Sequence, residues 1–412
     1  MRDSKDVLEF VKNNKIDFVR LAFVPVDGSF KTISVPTTLS TRALKQYLEE
    51  GHPIDGYPVD SRMLDGKKSF LIMPDPTVIK NTQFYNHGYN TALMMSDILN
   101  RDGSQSEVCP RTKLKQLQQR HGLRSQVSLE IEYYLRNKDG SFQMETNWDH
   151  YDEDLDCPKV ISRENTCLDL AKMGIHVSKA HKEAGPGQQE IVLDIANAVG
   201  AADDFMFATR KVIPNLAKRH GFIADLSAKP APDVFGSGAH VHFSFLDKDN
   251  NNLFAEDGKV SAAGLAFANG IAEHEAILQS LYPTDNSYAR LDGSLFVPSS
   301  DEKISDAKNA LVKLIHSGVN SRTEYRAFDN AVNMHIALTT LFSAGLMGLR
   351  GEFPLGDKFK HPVMSLAQAN HTLKNLLESG KVRELGLSPD IVEMMIANNE
   401  MKLENNGELG KC

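Results

Sequence analysis

The chain has 412 residues, a formal charge of −8, and 41% hydrophobic and 24% charged residues, which fits a globular protein long enough for two or more domains. No basic stripe is visible, which argues against a nucleic-acid binder. No run reaches the ~18 apolar residues of a membrane-spanning helix. The amino terminus, MRDSKDVLEFVKNNK, lacks the apolar centre of a secretion signal. Cys109, Cys157, Cys167 and Cys412 show no zinc-ligand spacing and are too sparse for a disulfide framework, so a cytoplasmic protein is expected.

Val7, Leu8 and Val11 fall at helical spacing. IDFVRLAFV and FKTISV then read as strands joined across Asp27-Gly28, a common hairpin signal. Ser40 is placed to cap a helix running through Glu50, with Gly51 ending it. The polar, turn-rich RDGSQSEVCPR, residues 101–111, predicts a domain boundary, with a small α+β domain over 1–104 and a larger one over 105–412.

Beyond that boundary strands and helices mix without strict βαβ alternation. This predicts an α+β fold with an antiparallel or mixed sheet and helices to one side. SLEIEYYL (128–135), QQEIVLDIA (188–196), GAHVHFSF and RTEYRAF (322–328) read as strands. Residues 203–221 read as one helix despite Pro214. Residues 262–281 and 331–349 read as largely buried helices, and Ser388-Pro389-Asp390 opens another.

Four of these strands alternate polar residues of unusual type on one face. Glu130 and Glu132 flank Ile131. Glu183 and Glu190 bracket a turn on Gly185-Pro186-Gly187. His240, His242 and Ser244 share a face, as do Arg322, Glu324 and Arg326. Any one of these patterns fits the solvated face of an antiparallel sheet. Together, five carboxylates and a histidine make the oxygen-rich set that Mg²⁺ or Mn²⁺ prefers. Two or more such ions can clamp nucleotide phosphates, and Arg322 and Arg326 would neutralise phosphate or bind a carboxylate. The residues therefore point to a metal-dependent enzyme that uses ATP on an anionic substrate.

In chain order, LEIEYYL, HKEAGPGQQEI, KRHGFIADLSAKP, GSGAHVHFSF, PTDNSYARL and RTEYRAFDNAVN resemble the glutamine synthetase family, and the likeness spans almost the whole chain. The resemblance implies a β-grasp domain over 1–104. Over 105–412 it implies a catalytic domain whose curved antiparallel sheet, flanked by helices, forms a metal-lined funnel. It assigns Glu132, Glu183 and Glu190 to one divalent ion, and Glu130, His240 and Glu324 to the other. His242, Ser244, Lys308 and Arg322 would meet ATP. Gly236, Gly238, Arg290 and Arg326 would meet glutamate and the phosphoryl group, with Arg322 and Arg326 also serving catalysis.

The reaction implied has two steps: ATP phosphorylates the γ-carboxylate of glutamate, and an amine then displaces phosphate. The expected assembly is a homo-oligomer of stacked rings with active sites between subunits. Asp55, in IDGYPVD, aligns with the neighbour's aspartate that helps deprotonate ammonium.

The departures lie on the substrate side. Where the family's flap carries a glutamate, counting six residues on from Arg290 reaches Phe296. Phe235 stands where a glutamate-contacting asparagine is usual, and Lys308 and Lys313 replace two arginines. The leading expectation is thus an ATP-dependent ligase joining glutamate to an organic amine. One alternative is a glutamine synthetase in which Asp292 or Asp301 takes the flap role, and another is a catalytically idle homologue with a structural or regulatory role.

Overall fold

The computed structural model describes residues 3–60, 62–63, 68–82, 88–142, 150–151, 154–291, 297–298, 303–351 and 363–409. Helix α1 (Ser4–Asn13) starts from a capping box in which Asp3 and Asp6 satisfy each other's backbone N–H groups. It buries Val7 and Val11. β1 (Phe18–Phe23) and β2 (Lys31–Pro36) pair antiparallel, and Gly28 turns the chain between them at φ +73°. α2 (Arg42–Glu50) is capped one residue later than expected, at Thr41; the Ser40 hydroxyl still accepts the Arg42 N–H, at 3.1 Å. Gly51, at φ +76°, ends it.

β3 (His52–Asp55), β4 (Ser69–Asn81) and β5 (Thr91–Asn100) complete a five-stranded sheet of order β2-β1-β5-β4-β3. Only the β1–β5 pairing in it is parallel. β4 tolerates Pro74 and Pro76 because its register with β5 shifts between Pro74 and Ile79, which releases ladder bonds a proline cannot make.

α3 (Pro110–His121) follows and forms the seam between this sheet and the rest. Arg111, buried in the first turn of α3, binds Asp75 of β4 at 2.9 Å and Asp97 of β5 at 2.7 Å. It also binds Asp203 at 3.0 Å, which in turn contacts His335 at 2.9 Å. Lys115, one turn on, reinforces Asp75 and Asp97.

The second sheet is built on the long β6 (Arg124–Asn137). α4 (Pro158–Lys172), β7 (Val177–Lys182), β8 (Gln188–Leu193), α5 (Ala198–Phe207), α6 (Ile213–Arg219), β9 (Phe222–Asp225) and β10 (Val241–Leu246) come next. The hairpin β11 (Ala255–Glu256) and β12 (Lys259–Val260) leads to α7 (Ala262–Glu273), α8 (Glu275–Gln279) and α9 (Asp285–Arg290). β13 (Ile304–Ser305), β14 (Val312–Ile315), β15 (Arg322–Tyr325), α10 (Met334–Leu349), α11 (Leu366–Glu378) and α12 (Pro389–Leu409) complete the chain.

The sheet order is β13-β14-β15-β10-β6-β8-β7, with β9 also on β6. Its pairings are antiparallel except β13–β14. Helices cover one face, so the fold is mixed α and β as expected.

Two expected helices are interrupted. Residues 203–221 form α5 and α6 joined by a π turn over Ala208–Val212, which places Pro214 in the first turn of α6, where its missing N–H does no harm. Residues 262–281 break at His274, whose ring Nδ1 lies 2.8 Å from the Gly270 carbonyl.

α10 is buried along almost its whole length and crosses α7 at glycines. A Cβ on Gly270 would lie 2.2 Å from the Ala344 carbonyl oxygen, so the two backbones meet without side chains between them. Phe243 and Phe245 of β10 pack on Phe254, Phe267 and Phe342. That apolar layer leaves the other face of the sheet to polar residues.

Candidate active site

Strand pairing places several of the predicted residues, with Ser128 and His181 beside them, in rows across the open face. Lys313, Glu324, His242 and Ser128 are opposed along one row of β14, β15, β10 and β6. His181, Glu190 and Glu132 are opposed along another, across β7, β8 and β6. Two glutamates directly opposite repel in an ordinary sheet, so the second row calls for a positive partner.

These residues line a cleft of about 850 Å³, within the range of small-molecule sites. The cleft collects Glu130, Glu132, Glu183, Glu190, His240, His242, Ser244, Gly236, Arg290, Lys308, Arg322, Glu324 and Arg326. Gly238, which is buried, also belongs here: its N–H donates to Glu132 Oε2 at 2.7 Å.

Two parts of the cleft differ in charge balance. In one, Glu130 accepts from both imidazoles, His240 Nδ1 at 2.7 Å and His242 Nε2 at 2.9 Å. Arg322 Nε donates to His242 Nδ1 at 3.3 Å, and Arg290 donates towards His240 Nε2 at 3.4 Å. These contacts fix the orientation of each ring. Burial works to raise the Glu130 carboxyl, but the two histidines outweigh it and hold it well below its usual range. Glu324 is likewise lowered against burial, by His242, Arg326 and His240; Arg326 sits directly on it.

In the other part, burial first, and then Glu132 and Glu190, push the Glu183 carboxyl up to about 9. Glu190 is raised for the same kind of reason, by burial with Glu130 and Glu132 close by. His181 Nε2 is 3.0 Å from Glu190 Oε1 and His150 Nε2 is 2.9 Å from Glu183 Oε2. Even so, the buried Glu190 Oε1 accepts no well-aligned hydrogen bond. An orphaned oxygen among crowded, charge-poor carboxylates fits a divalent cation bound by oxygen ligands.

Among the described residues, the groups able to converge on an ion are Glu130 with His242 and Glu324, Glu130 with Glu132 and His240, and His181 with Glu183 and Glu190. Glu132 thus groups most tightly with Glu130 and His240, while His181 and His242 join as possible ligands. His181 was missed as a ligand although its signal was present, since it stands two residues before Glu183 on the same strand face. His150 carried no such signal, because it approaches from a loop.

Backbone demands explain the glycines. A Cβ on Gly236 would sit 2.6 Å from Arg290 Cγ, and one on Gly238 would sit 2.5 Å from His240 Nε2. Gly185 is kept for the same reason, as its Cβ would meet the Tyr134 hydroxyl at 2.1 Å. Arg290 comes from α9, which Thr284 caps, and its guanidinium donates to the carbonyls of Ala327 and Arg326. Ser244 donates to Gln126 at 3.0 Å. Phe235 lines the cleft, and its carbonyl accepts the Tyr134 hydroxyl at 2.8 Å. Asp55 is exposed on β3 and does not line the cleft. Phe296, Asp292 and Asp301 lie outside the described residues.

Residues 107–382 match the family model of the glutamine synthetase catalytic domain. The chain belongs to the glutamine synthetase family. It is 28% identical to the glutamine synthetase of Mycobacterium tuberculosis, over 99% of this chain and 92% of that one. It is 27% identical to that of Halobacterium salinarum, over 88% and 81%. Among solved structures, GmaS in complex with ADP superposes with a TM-score of 0.85 at 22% identity, over 98% of this chain and 96% of that one. Plasmodium falciparum glutamine synthetase gives 0.84 at 18%, over 99% and 97%.

As a glutamine synthetase family member, the chain is an ATP-dependent carbon–nitrogen ligase. The family uses divalent metal ions together with ATP, in keeping with the acidic and imidazole groups of the cleft. Among the described residues, no helix is long and apolar enough to cross a membrane.

Proposed function

We propose that this glutamine synthetase family member joins the γ-carboxylate of glutamate to an organic amine. The observation that carries the reading is the stretch LDGSLFVPSS between Arg290 and Asp301, which contains no glutamate and places Phe296 at its centre. A phenyl ring cannot take a proton from ammonium. It offers apolar area and a weak cation–π face, which suit an amine bearing hydrocarbon. GmaS, a γ-glutamylmethylamide synthetase by name, supports the fold in which such chemistry can be housed. A second reading, ammonia as the amine, is favoured by the curated relatives' shared name of glutamine synthetase.

Glu132, Glu183 and Glu190 would hold one Mg²⁺ or Mn²⁺, and Glu130, His240 and Glu324 another, with His181 and His242 within reach. When bound, the ions would draw charge from the ATP phosphates. His242 and Ser244 face the nucleotide, and Lys308, Lys313 and Arg322 neutralise phosphate. Arg290 and Arg326 hold glutamate, and Gly236 and Gly238 leave it room. A γ-carboxylate oxygen attacks the terminal phosphorus of ATP as the bond to ADP breaks. The amine nitrogen then forms the C–N bond, phosphate leaves, and the nitrogen gives up a proton.

We read residues 1–104 as a β-grasp domain and 105–412 as the catalytic domain of a cytoplasmic homo-oligomer of stacked rings. In it, Asp55 would reach a neighbouring subunit's cleft and receive that proton.

The test is ADP release with ATP, Mg²⁺ and glutamate, comparing ammonium with primary amines, diamines and amino alcohols. Turnover confined to organic amines is expected, and Phe296→Glu should raise ammonium use relative to them. Efficient turnover with ammonium in the wild-type protein would instead support the second reading.

A further inference from the structure

We propose that Arg210 is a positioning residue, linking the N-terminal sheet to the ion-binding strand β6 through the main chain that follows β15. The inference rests on the assignment of Glu132 as an ion ligand.

Arg210 sits in the π turn over Ala208–Val212, an irregularity often tied to function. Its guanidinium is away from the cleft and, among the described residues, touches no carboxylate at hydrogen-bonding distance. Four backbone carbonyls hold it instead. Arg210 Nε donates to Gly28 at 3.1 Å, in the β1–β2 turn. Its terminal nitrogens donate to Asn330 at 2.6 Å, Ala331 at 3.2 Å and Val332 at 3.1 Å.

The chain of contacts continues from Asn330. Its side-chain amide donates to the Glu132 carbonyl at 2.7 Å. The Glu132 N–H donates to the Gly238 carbonyl, and its carboxylate accepts from the Gly238 N–H. Two hydrogen bonds therefore separate Arg210 from the main chain of a residue in the ion cluster. Asn333 anchors the same hairpin tip through the Pro25 carbonyl at 2.9 Å. A planar fork with five donors suits this four-carbonyl seat, and an ammonium group can reach only part of it.

Mn²⁺ binding to the full-length protein, measured by calorimetry without nucleotide or substrate, tests the proposal. Arg210→Met should weaken binding about tenfold, the low end for groups that orient ligands. Asn330→Ala should do the same, and the double variant should lose no more than either alone. Arg210→Lys should recover part of the affinity. Leu373→Ala, which opens a cavity under α11 away from these contacts, should lower the melting temperature in chelator and leave Mn²⁺ affinity unchanged.

Folded Arg210→Met with wild-type affinity, or losses that multiply in the double variant, would overturn the proposal. If Arg210→Met does not fold, wild-type affinity in Asn330→Ala overturns it equally. Wild-type protein that binds no Mn²⁺ would overturn the ion-site assignment itself, and this proposal with it.

Discussion

A methyl group on Gly238 would fall 2.5 Å from His240 Nε2 and 2.6 Å from an Arg290 nitrogen. Gly238→Ala must therefore shift a cleft imidazole or a cleft guanidinium. Turnover should fall about 100-fold, the scale of a ~1 Å misplacement, with little change in melting temperature; steady-state kinetics beside a thermal melt checks both. Glu324→Ala should abolish turnover, because it removes a proposed ion ligand and leaves Arg326 buried without its carboxylate; the ADP-release assay reads this directly.

Glu275 makes a different prediction. It is fully buried behind β15, and burial pushes its carboxyl up to about 7 against hydrogen bonds from Gln279 and Tyr325. Between the unfolded value of roughly 4.3 and about 7, the folded chain keeps a proton that the unfolded chain releases. Stability thus declines as pH rises through that window. Glu275→Gln should remove this slope, stabilising the protein at pH 8 by on the order of 1–3 kcal/mol, as read from urea midpoints at pH 5 and 8. At this scale the sequence was informative wherever a side chain sits on a strand, since alternation alone puts Glu130 with Glu132 and His240 with His242. It was silent where partners arrive from loops, as His150 does.

At the scale of elements, helix boundaries set by side-chain chemistry were readable, as at Ser388, whose hydroxyl accepts the Ile391 N–H. The π turn before Pro214 and the break at His274 were not. Both depend on what the helix packs against, which local periodicity does not encode. The crossing of α7 and α10 carries the clearest consequence. Gly270 and Gly348 bring the two backbones so close that a Cβ on either meets main-chain atoms of the other helix within 2.2 Å. Gly270→Ala should cost about 1–3 kcal/mol through overpacking, despite alanine's better helix propensity. A lowered denaturant midpoint with unchanged m-value would show it.

For the whole molecule, the seam at Arg111 decides how the two sheets stay together. Arg111 and Lys115 hold Asp75 below the usual carboxylate range, and Arg111 and His335 do so for Asp203, in each case against burial. Carboxylates lowered in the folded state stabilise it above their unfolded value of about 3.9, and that contribution is lost as pH falls through the folded values. Urea midpoints should therefore fall steeply only below about pH 4, as these carboxylates take up protons. Arg111→Met should cost about 3–5 kcal/mol at pH 7 by leaving buried charge uncompensated. The composition gave no hint of this seam, because its acids come from β4, β5 and α5 and meet only in three dimensions.

That geometry also limits which chimaeras of this chain are viable. An N-terminal sheet grafted from a distant relative brings its own residues to positions 75 and 97. If neither is acidic, the host's Arg111 enters the interior with only Asp203 as counter-ion, and Lys115 loses both of its carboxylates. Exchange between lineages is therefore governed by two side chains remote from any substrate, and a graft that keeps every cleft residue can still fail on them.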